Sequence, residues 1–304
     1  MTTVVEVRGA HKTYRRLRKP PEHAVCGLDL RIEQGGVFGF LGPNGSGKTT
    51  TLRLLLGLAR ADAGELRLLG HRVPQELPAV IGQVGALVES PLFLPSFSGR
   101  RNLNLLAGAA GIPTSRVDET LEFVGLSGRA DDRVRTYSLG MKQRLGIAAA
   151  LMKKPRLLIL DEPGNGLDAA GIREVRELIK LLGHNGVTVL LSSHQLSEVQ
   201  QVCDRVAIMS RGQVIAGGSV AELLAGGASG DLRVRVPQPE TARELLERAG
   251  YTVSPLSDAW RVGGVSDPGR LNRLLSDAGL YLTELTPIAA DLESVFLDLT
   301  QSDS

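Results

Sequence analysis

The sequence predicts an α/β fold around a mainly parallel sheet, followed by a smaller α+β unit. Three observations predict it. The runs "RLLILD" and "VTVLLSS" are continuously apolar or small, the habit of strands buried on both faces of a parallel sheet. Strand-like and helix-like segments alternate around them, as parallel crossovers require. Beyond residue 231 the order becomes strand, helix, strand, strand, helix, strand, the split-βαβ layout.

Taken in order, "TVVEVRGAHKTY" and "GLDLRIEQGGVFGFLG" read as short strands broken by turns. The second holds an alternating set, Leu28, Leu30 and Ile32, then an apolar run from Val37 to Leu41. A helix is expected from about 48 to 60. Residues 99–155 read mainly as helices: "RNLNLLAGAAG", "RVDETLEFVGL" and "GMKQRLGIAAALM". The two buried strands follow, separated by the helix "GIREVRELIKLLGHNG". The helix "LSEVQQVCDR" then leads into the strand region "VAIMSRGQVIAGG". Small residues in "LLAGGASGD" read as a linker. The tail has strands at "LRVRV", "YTV", "WRVGGV" and "YLTELTP", helices at "PETARELLERAG" and "DPGRLNRLLSDAG", and a last helix at "DLESVFLDL". Trp260 is expected in its core. The expected organisation is a large domain over 1–224 with a helical part at about 90–155, a linker at 225–231, and a small domain over 232–304.

Composition narrows the function. With 42% hydrophobic and 22% charged residues the chain is globular. A net charge of +2 argues against a general nucleic-acid binder. No apolar run approaches the ~18–20 residues that cross a bilayer, and "MTTVVEVRGAHKTY" lacks the apolar core of a signal peptide. The chain reads as soluble and cytosolic unless a partner holds it at a membrane. Cys26 and Cys203 stand alone and read as buried structural thiols. The five histidines show no metal-ligand spacing. The basic run "RRLRKPP" reads as a solvated loop, with anionic headgroups or an acidic partner loop as its alternative contacts.

The chemistry begins at residues 42–49. Gly42, Pro43, Asn44, Gly45, Ser46, Gly47, Lys48 and Thr49 match G-x-x-x-x-G-K-[ST] between a strand and a helix. Glycines there let backbone N–H groups curl around phosphate oxygens. Lys48 supplies charge to the β- and γ-phosphates, Thr49 places a hydroxyl on Mg²⁺, and Thr50 reaches the α-phosphate. In "LLILDEP", Asp161 ends a strand at the edge where α/β ligands sit and can hold Mg²⁺. Glu162 follows as the candidate to polarise an attacking water.

"YSLGMKQ", residues 137–143, resembles the signature of ABC-type ATPases, usually written LSGGQ. Ser138 and Gly140 match the serine and second glycine; Leu139 and Met141 depart from the pattern. "GNGLD", ending at Asp168, resembles that family's D-loop, and His194 in "LLSSH" its γ-phosphate sensor. Tyr14 fits the aromatic that stacks on adenine. The resemblance covers about residues 4–220 and implies a P-loop NTPase of ABC type: a parallel-sheet core, an antiparallel β subdomain and a helical subdomain. It implies ATP and Mg²⁺ as cofactors and a head-to-tail homodimer. Each ATP would lie between the P-loop of one copy and Ser138 and Gly140 of the other, with Asp168 a further nucleotide-binding residue. It also implies a separately encoded membrane permease, docked around 89–105, and a place at the cytoplasmic face of the membrane. One departure stands out. Glu89 occupies the family's glutamine position, either ligating Mg²⁺ with Thr49 and Asp161 or serving only as a hinge. The segment "VESPLFLPSFSGRRNL" resembles subfamilies that export drugs, antimicrobial peptides or polysaccharides. An importer ATPase, or an ABC-type ATPase acting on ribosomes or DNA, is the alternative; the single cassette, the lack of a long heptad stretch and the small net charge disfavour the latter.

Overall fold

The computed structural model describes residues 2–15, 20–89, 92–226, 231–288, 292–293 and 296. Most of the basic run, most of the linker and most of the last expected helix lie outside the described residues. The chain divides into two compact units at Val220, four residues before the expected boundary at 224.

In the first unit, β1 (Thr3–Tyr14) and β2 (Glu22–Glu33) are single twelve-residue strands rather than broken short ones. Register shifts absorb the irregularity that reads as turns. β3 (Val37–Leu41) is wholly buried and leads through the 42–47 loop into α1 (Lys48–Leu55). The helix stops short of the expected end, because Leu56 leaves the helical region and Gly57 takes a φ of 68°. Next come β4 (Ala63–Leu68), β5 (His71–Val73) and β6 (Val84–Leu87), which have no counterpart among the expected strands. Three helices follow: α2 (Gly99–Ala109), α3 (Ser115–Phe123) and α4 (Leu139–Leu151). Then come β7 (Leu157–Asp161), α5 (Ala169–His184), β8 (Thr188–Ser193) and the short α6 (Leu196–Gln200). The expected strand region is a hairpin, β9 (Arg205–Ser210) and β10 (Gln213–Ser219). Arg211 and Gly212 both take positive φ at its two-residue turn, as a type I′ turn demands. α7 (Val220–Gly226) follows, beginning at the last residue of the first unit and continuing into the second.

Two sheets result. One is antiparallel, in the order β2-β1-β4-β5; the other runs β10-β9-β3-β8-β7-β6 and is parallel except at β10. They share a core across α1, whose Leu52, Leu54 and Leu55 join Val5, Val7 and Leu28 on one side and Phe40, Ile159 and Leu190 on the other. Burying a leucine side chain contributes about 1.5–3 kcal/mol, so α1 is anchored by its apolar face. Its first turn is thereby held at the sheet edge.

The second unit contains β11 (Leu232–Arg235), α8 (Pro239–Arg248), β12 (Thr252–Leu256), β13 (Ala259–Gly263), α9 (Pro268–Asp277) and β14 (Glu284–Pro287). The sheet order β12-β13-β11-β14, antiparallel throughout, is the split-βαβ arrangement expected from the sequence. Leu232, Val234, Leu246, Val262, Leu271 and Leu275 form its core. Trp260, expected inside, is only half-buried; it packs on this core and donates its indole N–H to the Pro239 carbonyl at 2.8 Å. Cys203 is buried and its thiol is pushed well up by that burial, whereas Cys26 is half-buried.

Candidate active site

Parallel pairing brings the chemistry to one edge. β3, β8 and β7 are neighbours in that order, so their C-terminal ends lie on the same side of the sheet. Leu41 aligns with Ser193, and Ser192 with Asp161. The glycine-rich loop leaves β3, Asp161 ends β7, and His194 follows β8. Open α/β sheets bind ligands at this edge.

The three loop glycines serve different purposes, which corrects the reading that all make way for a ligand. A Cβ on Gly42 would lie 2.3 Å from the Met209 carbonyl oxygen, and one on Gly47 2.1 Å from that of Ala24. Those two make room for β9 and β2. Gly45 has a φ of 81° and open space where a Cβ would point. It is the glycine that leaves room for something outside the chain. Pro43 and Asn44 lie exposed beside it, and Ser46 is buried with no partner for its Oγ among the described residues.

Lys48 is buried and donates to the carbonyls of Gly42 (2.7 Å) and Pro43 (3.2 Å); its ammonium is 3.5 Å from Glu162 Oε1. A buried ammonium needs such partners. Thr49 Oγ1 donates to Asp161 Oδ1 at 3.3 Å, and Thr50 is half-buried on the next step of α1. The first two residues of α1 thus reach past β8 to the two carboxylates that end β7.

Glu162 takes a φ of 48°, rare for a residue with a side chain. Its N–H donates to both Oγ (3.0 Å) and the carbonyl (3.2 Å) of Ser192. Its Oε2 faces His194 Nδ1 at 2.7 Å, so with an ionised carboxylate that nitrogen carries the proton. Glu198, on α6, is a further carboxyl nearby. Burial pushes it above the usual range, Arg176 and His194 oppose that, and Glu162 adds to it.

The remaining candidates make other contacts, and among the described residues no hydrogen bond or ion pair joins Ser138, Gly140 or Asp168 to this centre. Glu89 pairs with Arg53 on α1 rather than with Thr49 or Asp161, and its φ is 69°. Tyr14, at the end of β1, also lies close enough to Arg53 to interact with its guanidinium. Thr49 and Arg53 are four residues apart on one helix and share a face, so Tyr14 and Glu89 both approach α1 there. Ser138 caps α4, its Oγ accepting from the Met141 N–H at 3.2 Å, and Gly140 lies against Gly171 of α5. Asp168 caps α5 through Gly171 N–H at 2.9 Å. Sequence reasoning passed over Arg53, which nothing in a helical run distinguishes. It also passed over Ser192, although a hydroxyl in a wholly buried strand, two residues before the histidine, is a signal in itself.

The residues fit a metal–nucleotide. Among the described residues no three His, Cys, Asp or Glu side chains converge to hold an ion alone. Mg²⁺ is ordinarily held by one or two carboxylates with phosphate oxygens and water, and Asp161 with Thr49 offers that donor set. The open space at Gly45 and the orphaned Ser46 hydroxyl suit a phosphate chain.

Residues 25–165 match the ABC transporter family, and residues 230–293 match a domain of unknown function. Relatives matched along nearly their whole length include the daunorubicin resistance ATP-binding protein DrrA3 of Streptomyces coeruleorubidus, 38% identical over 99% of this chain and 97% of that protein. The Nod factor export ATP-binding protein I of Cupriavidus metallidurans is 36% identical over 99% and 98%. The chain belongs to the ATP-binding subunits of ABC transporters. Among solved structures, cbiO1 of Clostridium perfringens, part of the cbiONQ ABC transporter complex, superposes with a TM-score of 0.66 at 25% identity, over 82% of this chain and 97% of that one. The fold is therefore the P-loop ABC fold, and this ABC subunit binds nucleotide and hydrolyses ATP. No helix among its described residues is long and apolar enough to cross a membrane.

Proposed function

We propose that this ABC subunit powers export through a separately encoded membrane permease, at the cytoplasmic face of the membrane. The observation that carries the reading is the convergence of Lys48, Thr49, Asp161, Glu162 and His194 on one sheet edge. Export rather than import is favoured by the relatives that match the whole chain, one named for drug resistance and one for export.

In this reading the 42–47 loop and Thr50 receive the phosphates, and Lys48 exchanges its loop carbonyls for β- and γ-phosphate oxygens. Thr49 and Asp161 hold Mg²⁺, which when bound neutralises phosphate charge and polarises the γ-phosphoryl group. Glu162, released from Lys48, orients the attacking water. His194 passes from Glu162 to the γ-phosphate, and Tyr14 stacks on adenine. Glu89, paired with Arg53, acts as a hinge rather than a ligand. Two copies pack head to tail. The amides at the N-terminus of α4, with Ser138 and Gly140, then face the other copy's γ-phosphate, and Asp168 lies at the shared boundary. Segment 89–105, outside residues 90 and 91, carries Leu92 at 99% and Leu105 at 50% exposure, which suits docking on an apolar permease surface.

The test is Glu162→Gln. Losing the group that orients the water is expected to slow hydrolysis by about 10²–10⁴-fold and to leave an ATP-bound dimer visible by size-exclusion chromatography. A variant that stays monomeric with ATP and keeps full turnover contradicts the proposal.

A further inference from the structure

The strand between the loop and the carboxylates carries a group that the reaction above does not use. β8 is buried from end to end, and Ser192 within it is fully enclosed. A hydroxyl in such a strand is costly unless its hydrogen bonds are made. Here both are made, and both go to the same two residues. The Oγ hydrogen goes to Asp161 Oδ1, and the Oγ lone pair accepts the Glu162 N–H at 3.0 Å. Asp161 Oδ1 thereby takes two hydroxyl donors, from Ser192 and from Thr49, while among the described residues no hydrogen bond reaches Oδ2. Ser193, its neighbour, does something separate: its Oγ accepts from the Gln195 N–H and holds the turn after the strand.

We propose that Ser192 is a positioning residue for hydrolysis, its single hydroxyl setting the orientation of the Asp161 carboxylate and the backbone of Glu162 together. The inference rests on the reading of Asp161 as the metal carboxylate and Glu162 as the water-orienting group. Two degrees of freedom need fixing. A carboxylate at a strand end rotates about its terminal torsion, which is broad and roughly two-fold. The Ser192 hydroxyl selects one setting and leaves Oδ2 for the metal. Glu162 sits at a φ of 48°, where strain persists only when neighbours hold it. Its N–H, fixed on Ser192, is one such hold. The β-ladder alone does not supply this, because the carbonyl of any residue at 192 would accept the N–H but only a hydroxyl reaches both partners. Partners that orient a metal ligand typically contribute about 10–100-fold in metal affinity or activity.

The test uses the full chain with Ser192→Ala, Ser192→Thr and Ser192→Cys. Two equilibrium measurements come first, with a fluorescent ATP analogue as the probe: affinity without metal, and the Mg²⁺ concentration that half-maximally changes it. Turnover gives kcat and KM. For Ser192→Ala, metal-free affinity is expected to stay within about twofold, since Lys48 and the loop amides are untouched, while the Mg²⁺ midpoint rises about tenfold or more. The loss in turnover falls on kcat rather than KM. Ser192→Thr, which keeps the hydroxyl, restores both. Ser192→Cys keeps the side-chain shape with a poor donor and is expected to follow alanine. If the alanine variant does not fold, the cysteine and threonine pair decides. A cysteine variant with the wild-type Mg²⁺ midpoint and kcat overturns the proposal, and so does a threonine variant that rescues neither. Failure of the underlying reading looks different: the unmodified protein would then show no Mg²⁺-dependent change in analogue affinity at all.

Discussion

Gly47 and Gly45, two residues apart in one motif, are expected to fail in different ways when changed to alanine. At Gly47 the added methyl meets the Ala24 carbonyl oxygen at 2.1 Å, against ordinary contact at 3.4–4 Å, and the backbone φ is 105°. The left-handed backbone costs roughly 1–2 kcal/mol and the overpacking about 1–3 kcal/mol, so the sum is about 2–5 kcal/mol of folding stability. For a unit of this size that is a fall of about 4–20 °C in melting temperature. At Gly45 the methyl meets nothing in the chain, so only the backbone cost of about 1–2 kcal/mol applies, a fall of about 2–8 °C. The loss there goes into nucleotide affinity, because the methyl enters the space assigned to phosphate. Thermal melts by circular dichroism and titration with a fluorescent ATP analogue read the two effects separately. The reasoning is refuted if Gly47→Ala melts within about 2 °C of the wild type, or if Gly45→Ala binds the analogue as tightly as the unmodified chain.

Ser138→Ala removes the α4 cap and is expected to lower stability by about 0.5–2 kcal/mol. Ser138→Asp keeps a capping oxygen and hence the melting temperature, yet in the proposed dimer it places a negative charge against the partner's phosphate, so ATP-driven dimerisation seen by chromatography is expected to be lost. Glu89→Gln breaks an exposed pair with Arg53 and is expected to change stability by under about 1 kcal/mol; the Mg²⁺ dependence of analogue binding stays put, and a shifted midpoint would restore Glu89 as a ligand. Glu198→Gln bears on pH. Burial raises the Glu198 carboxyl above its unfolded value, so its ionisation disfavours the native state as pH climbs from the unfolded value through the folded one. The glutamine variant should therefore melt higher than wild type at neutral pH, and the difference should vanish in acid below the unfolded value of about 4.3.

What the sequence made legible follows physical necessity at strand ends. Lys48 and Asp161 could be read because a parallel sheet delivers the C-termini of its strands to one edge, and His194 through the resemblance, at the end of a strand of the same sheet. The tail was legible because its helices carry strong apolar faces and its strands are separated by turns. β4, β5 and β6 escaped because charged or small residues make up much of each short segment, so no apolar run stands out. The separate reasons for Gly42 and Gly47 escaped because the atoms that demand them, on Met209 and Ala24, arrive from distant strands. Ser192 carried a signal, as a hydroxyl inside a buried strand, but its role escaped because both of its partners, Asp161 and Glu162, come from the end of the neighbouring strand.

The charged groups of the site have partners within the chain. Lys48 holds two carbonyls and Glu162, Asp161 holds Thr49 and Ser192, and Glu162 holds His194. Binding is therefore an exchange of partners, and the affinity measured is the difference between two satisfied states. In the proposed function Lys48 is shared between Glu162 in one state and phosphate in the other. Removing the charge of Glu162 weakens only the first of these. Glu162→Gln is accordingly expected to bind ATP more tightly as well as to hydrolyse it slowly, and the tightening should appear in a monomer dilute enough that no dimer forms. Unchanged monomer affinity in that variant would mean that the 3.5 Å pair between Lys48 and Glu162 does not compete with phosphate.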